Sequence, residues 1–242
     1  MNTPKKLQKK GQRGFTIVEL MVATVVFSVV LIVLTAGVIA ITRTYSKGIV
    51  LNKTQTAARS ILDSIAQTIE FNGGTIDWPP GVGGAEALQG RGCVGNQAYD
   101  FRLGFQLLDS PSDPDQAAHG VVRTSGVAGC HHEAAPDFGS GTELLSPHMR
   151  LASLNVKPVN VNDRLYEVDV TVAYGDYDLL CSPSLNGHAG GCNDTDPSVT
   201  LQGNDIQQFV TRPDLTCHSG ADTQFCAVSA LRTVVQQRLV KN

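Results

Sequence analysis

The chain has 242 residues, of which 42% are hydrophobic and 17% are charged, so it can form one sizeable domain or two small ones. The formal net charge is −3, but residues 1–14 carry five of the 19 basic side chains and no acid. The rest of the chain holds 14 basic against 22 acidic residues. This balance argues against general nucleic-acid binding, which requires clustered Lys and Arg.

A basic segment precedes a long apolar run at the start of the chain. The basic residues are Lys5, Lys6, Lys9, Lys10 and Arg13. From Phe15 to Ile41 the only charged residue is Glu19. As a helix, residues 20–41 would span roughly 33 Å, which is enough for a hydrocarbon core of about 30 Å. The positive-inside rule predicts a cytoplasmic N-terminus and an exported remainder.

Glu19 needs a partner, because a carboxylate at the centre of a membrane helix costs about 2.5–3.5 kcal/mol, and somewhat less near its end. Small residues precede the apolar run, whereas in a secretory signal they follow it, so cleavage after Gly14 would keep the helix. Cleavage would also give Phe15 a charged α-amino group, which Glu19 of a neighbouring subunit can neutralise. The alternative is an uncleaved signal anchor that tolerates one acid near the interface.

Residues 14–23, GFTIVELMVA, with the short basic leader before them, resemble the class III signal of type IV pilins and type II secretion pseudopilins. The resemblance implies that a prepilin peptidase cuts after Gly14 and N-methylates Phe15. It also implies that Glu19 pairs with a neighbour's N-terminus when the subunit leaves the membrane lipid and joins other pilin subunits through the pilus assembly machinery. Many major pilins have a helix-kinking proline where this chain has Ala36, followed by Gly37, a candidate weak point of the helix.

The helical pattern continues beyond the apolar run. Apolar residues recur at helical spacing in a stripe that comprises Ile49, Ala57, Ala58, Ile61, Leu62, Ile65, Ala66 and Ile69. The polar residues between them suit a solvated face: Lys53, Gln55, Arg59, Asp63 and Gln67. Asn72-Gly73-Gly74 predicts the end of the helix.

Residues 72–98 are rich in glycine and are predicted to form a long loop. They contain no P-loop pattern and no strand-turn-helix frame for a dinucleotide site. Trp78 within them is interpreted as covering the edge of a core, with an exposed adhesive contact as the alternative.

Three stretches alternate between apolar and polar residues and predict strands: 99–105, 149–156 and 165–174. In the third, one face carries Tyr166, Val168, Val170, Val172 and Tyr174, and the other carries Glu167, Asp169 and Thr171. One wet and one dry face indicate an antiparallel sheet packed on the amphipathic helix. The tail, 226–240, fits a helix or a strand. We favour a strand because of its Thr-Val cluster, which resembles the C-terminal strand of minor pilins of the PilW and PulJ type.

These elements predict an α+β fold in which a long N-terminal helix, half transmembrane and half amphipathic, packs on an antiparallel β-sheet head with disulfides. Residues 1–14 would be a cytoplasmic basic leader and 15–42 a transmembrane or filament-core helix. Residues 43–71 would continue that helix, and 72–242 would form an exported, β-rich globular head.

All six cysteines lie beyond residue 90. An even number behind a membrane signal indicates disulfides formed in an oxidising compartment. Sequence alone does not select among the many possible pairings, but short loops favour Cys181–Cys192 and Cys217–Cys226, which leaves Cys93–Cys130.

Two kinds of cluster are candidate metal ligands. Cys130-His131-His132-Glu133 has no matching second half for a zinc site, and an exported cysteine is expected to be oxidised. Oxygen ligands for calcium occur at Asn193, Asp194 and Asp196, and again at Asp109, Asp113 and Asp115. Neither set has EF-hand spacing, and both are interpreted as plain turns, so we predict no metal and no cofactor.

No nucleophile elbow and no zincin helix occurs, so we do not expect an enzyme. We predict a structural subunit of a type IV pilus or related filament, and the size of the head favours a minor subunit. The alternatives are a type II secretion pseudopilin, a competence pilin that binds DNA, and an uncleaved membrane-anchored extracellular binding protein. Host-cell binding is not indicated. The arginines of the head are dispersed and give no basic stripe: Arg91, Arg102, Arg123, Arg150, Arg164 and Arg232.

Overall fold

The computed structural model describes residues 14–79, 89–107, 119–160, 162, 164–175, 179–181, 215–217 and 223–238. The chain divides into two compact units, Met1–Thr44 and Tyr45–Asn242. One long helix, α1 (Ile17–Phe71), contributes to both units. It is continuous through Ala36 and Gly37.

The described part of the second unit contains ten strands: β1 (Ile76–Asp77), β2 (Gln89–Val94), β3 (Gln97–Arg102), β4 (Val121–Ser125), β5 (Thr142–Glu143), β6 (Met149–Asn160), β7 (Leu165–Tyr174), β8 (Leu180–Cys181), β9 (Thr216–Cys217) and β10 (Ala227–Gln236). Strands β1 to β5 form one sheet in chain order, and a second sheet has the order β10-β7-β6. Strands β8 and β9 form a separate pair. All neighbours within these sheets are antiparallel. The predicted α+β class is confirmed.

The apolar stripe on the second part of α1 packs against both larger sheets. The predicted core positions Ala57, Ala58, Ile61, Leu62, Ile65 and Ile69 are buried. The prediction for Ile49 is wrong: it is 39% exposed, whereas Val50 and Thr54 are buried. These two residues extend the buried series in steps of three or four toward the N-terminus, as one helix face requires, and Ile49 falls off that face. The helix ends at Phe71, and Gly73 has a φ of 60°, as the Asn-Gly-Gly sequence predicts.

The faces of β7 agree largely with the prediction. Val168, Val170 and Val172 are buried in the main core, with Tyr166 and Tyr174 packed against it. The opposite face was predicted to be wet, which is wrong for Thr171: its side chain is buried. A second apolar cluster next to it explains the difference, because Leu180, Leu215 and Cys226 cover Ala173 on that face.

The predicted loop over residues 72–98 is wrong where β1, β2 and the first two residues of β3 form. Glycines in β2 lie opposite large rings of β3, Gly90 opposite Phe101 and Gly92 opposite Tyr99. Trp78 stacks on Phe101 with ring centroids 5.9 Å apart and fills the space that the glycines leave. Trp78 is therefore a partly buried residue at the edge of the core.

Gly92→Ala is expected to destabilise the head by about 1–3 kcal/mol, the usual cost of overpacking. A Cβ on Gly92 would lie 2.2 Å from the Trp78 ring, which is already packed against Phe101. The measurement is chemical denaturation of the full chain in detergent. Gly48→Ala is the matched control, because nothing lies within 4 Å of its Cβ position on α1. It should have no destabilising effect, and a loss equal to that of Gly92→Ala would contradict the packing argument.

Hydrogen bonds fix the helix to the first sheet and to the tail. The Tyr99 hydroxyl donates to the Ser64 carbonyl at 3.0 Å and lies 2.7 Å from the Thr68 hydroxyl. Beyond β10, the Arg238 amide donates to the Glu70 carbonyl at 3.2 Å, and its guanidinium pairs with the Glu70 carboxylate at 2.7 Å. The Arg238 amide thereby satisfies a carbonyl group in the last turn of α1, which otherwise lacks a helical partner.

The first sheet contains a buried ion pair. The Nε and Nη2 atoms of Arg91 donate to the two carboxylate oxygens of Asp100 at 2.6 and 2.9 Å. The two residues are cross-strand neighbours on β2 and β3, and the Asp100 side chain is fully buried. This pairing raises the pKa of Arg91 above its usual value. The bidentate contact joins the two side chains into one structural unit.

Disulfides join Cys93 to Cys130 and Cys217 to Cys226. The first ties the loop after β4 to strand β2, and the second lies at the start of β10. The predicted Cys181–Cys192 pair involves Cys192, which lies outside the described residues.

Candidate functional site

The N-terminal end of α1 carries the residues singled out for cleavage, methylation and assembly. Gly14, Phe15 and Thr16 precede the first helical residue, Ile17. Phe15 is 83% exposed, and nothing lies within 4 Å of the position a Cβ would take on Gly14. The Gly14–Phe15 peptide bond is therefore outside the helical hydrogen-bond pattern and accessible, as a protease substrate must be.

Thr16 and Glu19 form a reciprocal pair at the start of the helix. The Glu19 amide donates to the Thr16 hydroxyl oxygen at 3.2 Å, and the Thr16 amide donates to Oε2 of Glu19 at 3.3 Å. The Thr16 hydroxyl also lies 3.3 Å from that carboxylate oxygen. This arrangement is a capping box, which satisfies two backbone N–H groups that a helix start leaves open.

The capping box gives Glu19 a function that our sequence analysis missed. The signal was present, because a threonine followed three residues later by a glutamate is its sequence signature. The assembly hypothesis rests on the charge of Glu19 and makes no use of its spacing from Thr16. Within the described residues, Glu19 has hydrogen-bond donors from its own chain but makes no ion pair.

The helix that follows is apolar on all sides in its first part. Side chains from Ile17 to Ile41 are exposed, and α1 is long and apolar enough to cross a membrane. Its hydroxyl groups bond to backbone carbonyls one turn earlier; they belong to Thr24, Ser28, Thr35, Thr42 and Thr44. Polar groups in hydrocarbon must be satisfied internally, and these are.

Two residues of the candidate zinc cluster make contacts other than metal ligation. Cys130 is in a disulfide, and His132 binds Asp77 through both its amide, at 3.0 Å, and its ring Nδ1, at 2.6 Å. The part of the chain that the structure describes holds no group of three or more metal-ligating side chains. Both sets of calcium candidates, Asn193, Asp194 and Asp196 and also Asp109, Asp113 and Asp115, lie outside the described residues.

The loop between β4 and β5 is held to the first sheet at three points. The Cys93–Cys130 disulfide and the Asp77–His132 contact fix its first half. Its second half is fixed by Phe138, whose ring stacks on His119 and lies 4.6 Å beneath the Arg102 guanidinium. This loop is therefore a well-anchored surface of the head.

Acid should loosen the Asp77–His132 contact. The pKa of Asp77 is lowered, chiefly because the His132 amide donates to its carboxylate, with its side-chain contact adding to the effect. A lowered pKa in the folded state stabilises the fold above the ordinary value of 3.8 and loses that contribution as pH falls through the lowered value. We expect hydrogen-exchange protection of the His132 amide to fall as pH decreases from about 5 to about 2.

Variants separate this contact from other carboxylates in the loop. Asp77→Asn should lower protection at neutral pH and remove most of its pH dependence. Asp137→Asn is the control: the pKa of Asp137 is lowered chiefly by the Ser140 hydroxyl and then by the Gly139 amide, both in the same loop. Equal effects of the two substitutions on the His132 amide would contradict the assignment.

Most arginines of the head have partners within the fold. Arg91 pairs with Asp100, and Arg232 pairs with Asp169 at 2.5 Å and with Glu167 at 3.4 Å. The buried Arg150 donates to the Gly175 carbonyl at 2.6 Å. These guanidinium groups are committed to the fold and do not combine into a basic surface.

Comparison with known protein families finds one match. A family model described as the prokaryotic N-terminal methylation motif matches residues 9–35. This range contains Gly14, Phe15, the capping box and the first part of α1. No curated protein and no solved structure matches the chain. The motif supports a type IV pilin-like or pseudopilin subunit, and with the apolar helix it suits a membrane-anchored protein.

Proposed function

We propose that the chain is a minor subunit of a type IV pilus or related filament, cut after Gly14 by prepilin peptidase and N-methylated on Phe15. The subunit then assembles through α1, and Glu19 pairs with the α-amino group of Phe15 in a neighbouring subunit. The match of residues 9–35 to the methylation motif is the observation that carries this proposal. The accessible Gly14–Phe15 bond ahead of the helix supports it.

Burial of Glu19 in lipid has a free-energy cost that assembly can offset. Its carboxylate costs up to about 3 kcal/mol in the membrane. An ion pair at about 4 Å contributes on the order of 4 kcal/mol at an effective dielectric constant of about 20. The free energy gained when Glu19 pairs with a neighbour's α-amino group is therefore large enough to offset that cost. The capping bonds use one oxygen of Glu19, Oε2, and leave Oε1 for this contact.

Features of the head support our proposal that the chain is a minor subunit and not the major, repeated subunit of the filament. It has two larger sheets, a strand pair and an anchored loop, and its C-terminal Thr-Val-rich segment forms strand β10. That segment resembles the closing strand of minor pilins of the PilW and PulJ type. The basic residues before α1 favour a cytoplasmic N-terminus with the head exported.

Mass spectrometry of the N-terminus, on protein from native membranes or sheared filaments, tests the proposal. We expect a mature chain that begins with N-methylated Phe15. A chain that retains Lys5 to Arg13 would instead identify α1 as an ordinary anchor and overturn the proposal.

A secretion pseudopilin is the second candidate, because the same motif occurs in that class. Co-isolation of the mature chain with pilus subunits or with secretion-system subunits separates the two. No observation in the described residues favours binding of DNA or of a host surface.

A further inference from the structure

A groove lies in the second compact unit, between the second part of α1 and the segment that joins β5 to β6. Its volume is about 650 Å³, within the range of roughly 300–1,000 Å³ that is usual for ligand sites in proteins. The base of the groove is apolar: Ala57 and Met149 are buried, and Leu144 and Tyr174 are partly buried. The residues around this base are polar and exposed, so the groove offers both kinds of contact to a ligand.

Three polar residues of α1 line the groove at intervals of four positions: Asn52, Thr56 and Ser60. We call them the polar row, because residues four apart lie on one face of a helix, about 6 Å apart along its axis. Within the part of the chain that the structure describes, none of these three side chains has a hydrogen-bond partner. By contrast, the hydroxyls of Thr54 and Thr68 donate to carbonyl groups one turn earlier in the helix. The polar row is therefore available to a ligand.

The charge of the groove favours an anion. Lys53 and His148 line it, and no acid is among the described residues that do so. Glu143, which precedes the lining segment, accepts instead from the amides of Gly120 and Val121 at 2.9 Å. The chain beyond residue 14 holds 14 basic against 22 acidic residues, so the groove is a locally basic site on an acidic protein. A cleft lined by one sign of charge attracts the opposite sign.

The side of the groove opposite α1 is held in place by the fold. His148 has a φ of 64°, a left-handed conformation that is uncommon for a residue with a side chain. Its amide donates to the Leu107 carbonyl at 2.8 Å, and the Leu107 amide donates to the Met149 carbonyl at 2.8 Å. Such conformations persist where the surrounding structure fixes them, and they cluster at ligand sites. A fixed wall lowers the entropic cost of binding.

We propose that the groove binds an extended acidic peptide segment of a partner protein, with an aspartate or glutamate side chain at Lys53. Alternate residues of an extended chain lie about 6.7 Å apart, close to the spacing of the polar row. Backbone groups of the peptide therefore bond to successive members of the row, while its apolar side chains lie on Ala57 and Met149. The row spans about 12 Å, which corresponds to about four residues of the peptide.

A nucleic acid is a poorer fit, because it requires clustered Lys and Arg, and the groove has one lysine and no arginine. The inference goes beyond the proposed function and does not depend on it. A chain cut after Gly14 and an uncut chain both keep residues 52–60 and 144–149.

A peptide array tests the proposal. Immobilised hexapeptides of random sequence are probed with the full chain in detergent, and the affinity of a labelled peptide from the bound set is then measured by fluorescence anisotropy. We expect Asp and Glu to be enriched over Asn, Gln, Lys and Arg. Lys53→Gln should weaken binding by about tenfold or more, as expected for loss of a hydrogen bond to a charged group. Arg59→Gln is the matched control, because it removes the same charge from an exposed position of α1 outside the groove, and it should bind like the wild type.

A charge reversal makes the test sharper. Lys53→Glu should change the preference of the array from acidic to basic peptides, which a general loss of folding would not do. No enrichment of acidic residues, or equal affinity of the wild type and Lys53→Gln, would overturn the proposal. Displacement of the labelled peptide by polygalacturonate or by a single-stranded oligodeoxynucleotide at lower concentration than by free acidic peptide would also overturn it. So would a homodimer that Lys53→Gln dissociates, because a second copy would then occupy the groove.

Discussion

Replacing Glu19 with valine is expected to leave membrane insertion and cleavage after Gly14 intact and to abolish incorporation into filaments. Valine suits the apolar surroundings better than glutamate, so insertion should not suffer. The variant lacks the carboxylate that would neutralise the α-amino group of Phe15 in the neighbouring subunit. Each subunit added would then bury an unpaired charge, which costs several kcal/mol. Sheared-filament fractions and N-terminal mass spectrometry measure the two effects separately.

The capping box requires two control variants, since Glu19→Val also removes a cap. Glu19→Gln keeps an oxygen that can accept from the Thr16 amide but loses the negative charge. Thr16→Ala removes the hydroxyl that accepts from the Glu19 amide and keeps the charge, at a cost of about 1 kcal/mol in helix stability. If charge pairing drives assembly, Glu19→Gln should resemble Glu19→Val, and Thr16→Ala should still enter filaments.

The opposite pattern would assign a different function to the acid. Normal incorporation of Glu19→Gln together with failure of Thr16→Ala would show that assembly depends on the capped helix start and not on the carboxylate charge. Normal incorporation of Glu19→Val would contradict both mechanisms.

Removal of the Asp100 carboxylate is expected to cause the largest loss of stability in the head. Asp100→Ala leaves the Arg91 guanidinium without its partner in a site where only 11% of the arginine side chain is exposed. Breaking a buried pair in this way typically costs about 3–5 kcal/mol. Denaturation of the full chain in detergent, followed by fluorescence of Trp78, measures the effect. Trp78 is the only tryptophan and stacks on Phe101, the neighbour of Asp100.

The chain offers a matched control on the other sheet. Arg232 and Asp169 are also antiparallel cross-strand partners, but the arginine side chain is 66% exposed. Asp169→Ala should therefore cost far less than Asp100→Ala, because exposed ion pairs add little to stability. Replacing both buried partners, as Arg91→Met with Asp100→Leu, should recover most of the loss. Equal losses from Asp100→Ala and Asp169→Ala would show that burial does not govern these pairs.

Periodicity predicted the elements whose burial is one-sided. The stripe from Ala57 to Ile69 and the alternation of β7 both follow from one face packing on the core, and both are observed. Strand β2 was missed because glycine carries no side chain and thus no alternation. Gly90 and Gly92 lie there to make room for Phe101 and Trp78, which come from other parts of the chain.

In the candidate site, local sequence patterns could be recognised, whereas contacts between distant residues could not. Gly14, Phe15 and Glu19 stand in a fixed local pattern, so sequence alone identifies them as candidates. The contact between Asp77 and His132 joins residues 55 positions apart and depends on the fold that places β1 beside the loop. Cys130 and His132 belong to the cluster that was considered as a candidate metal site and for which we predicted no metal; in the structure they form the disulfide and this contact.

The hydroxyl groups on α1 bond within the helix, and this affects how easily the helix can move between a lipid bilayer and a protein interior. Each hydroxyl from Thr24 to Thr44 bonds to a carbonyl of its own helix, so none depends on lipid, water or another chain. Transfer from a bilayer to a protein interior would break none of these bonds. The free-energy difference between the two surroundings would then come from side-chain packing and from Glu19 alone. The hydroxyl groups therefore oppose neither the entry of the helix into a filament nor its return to the membrane.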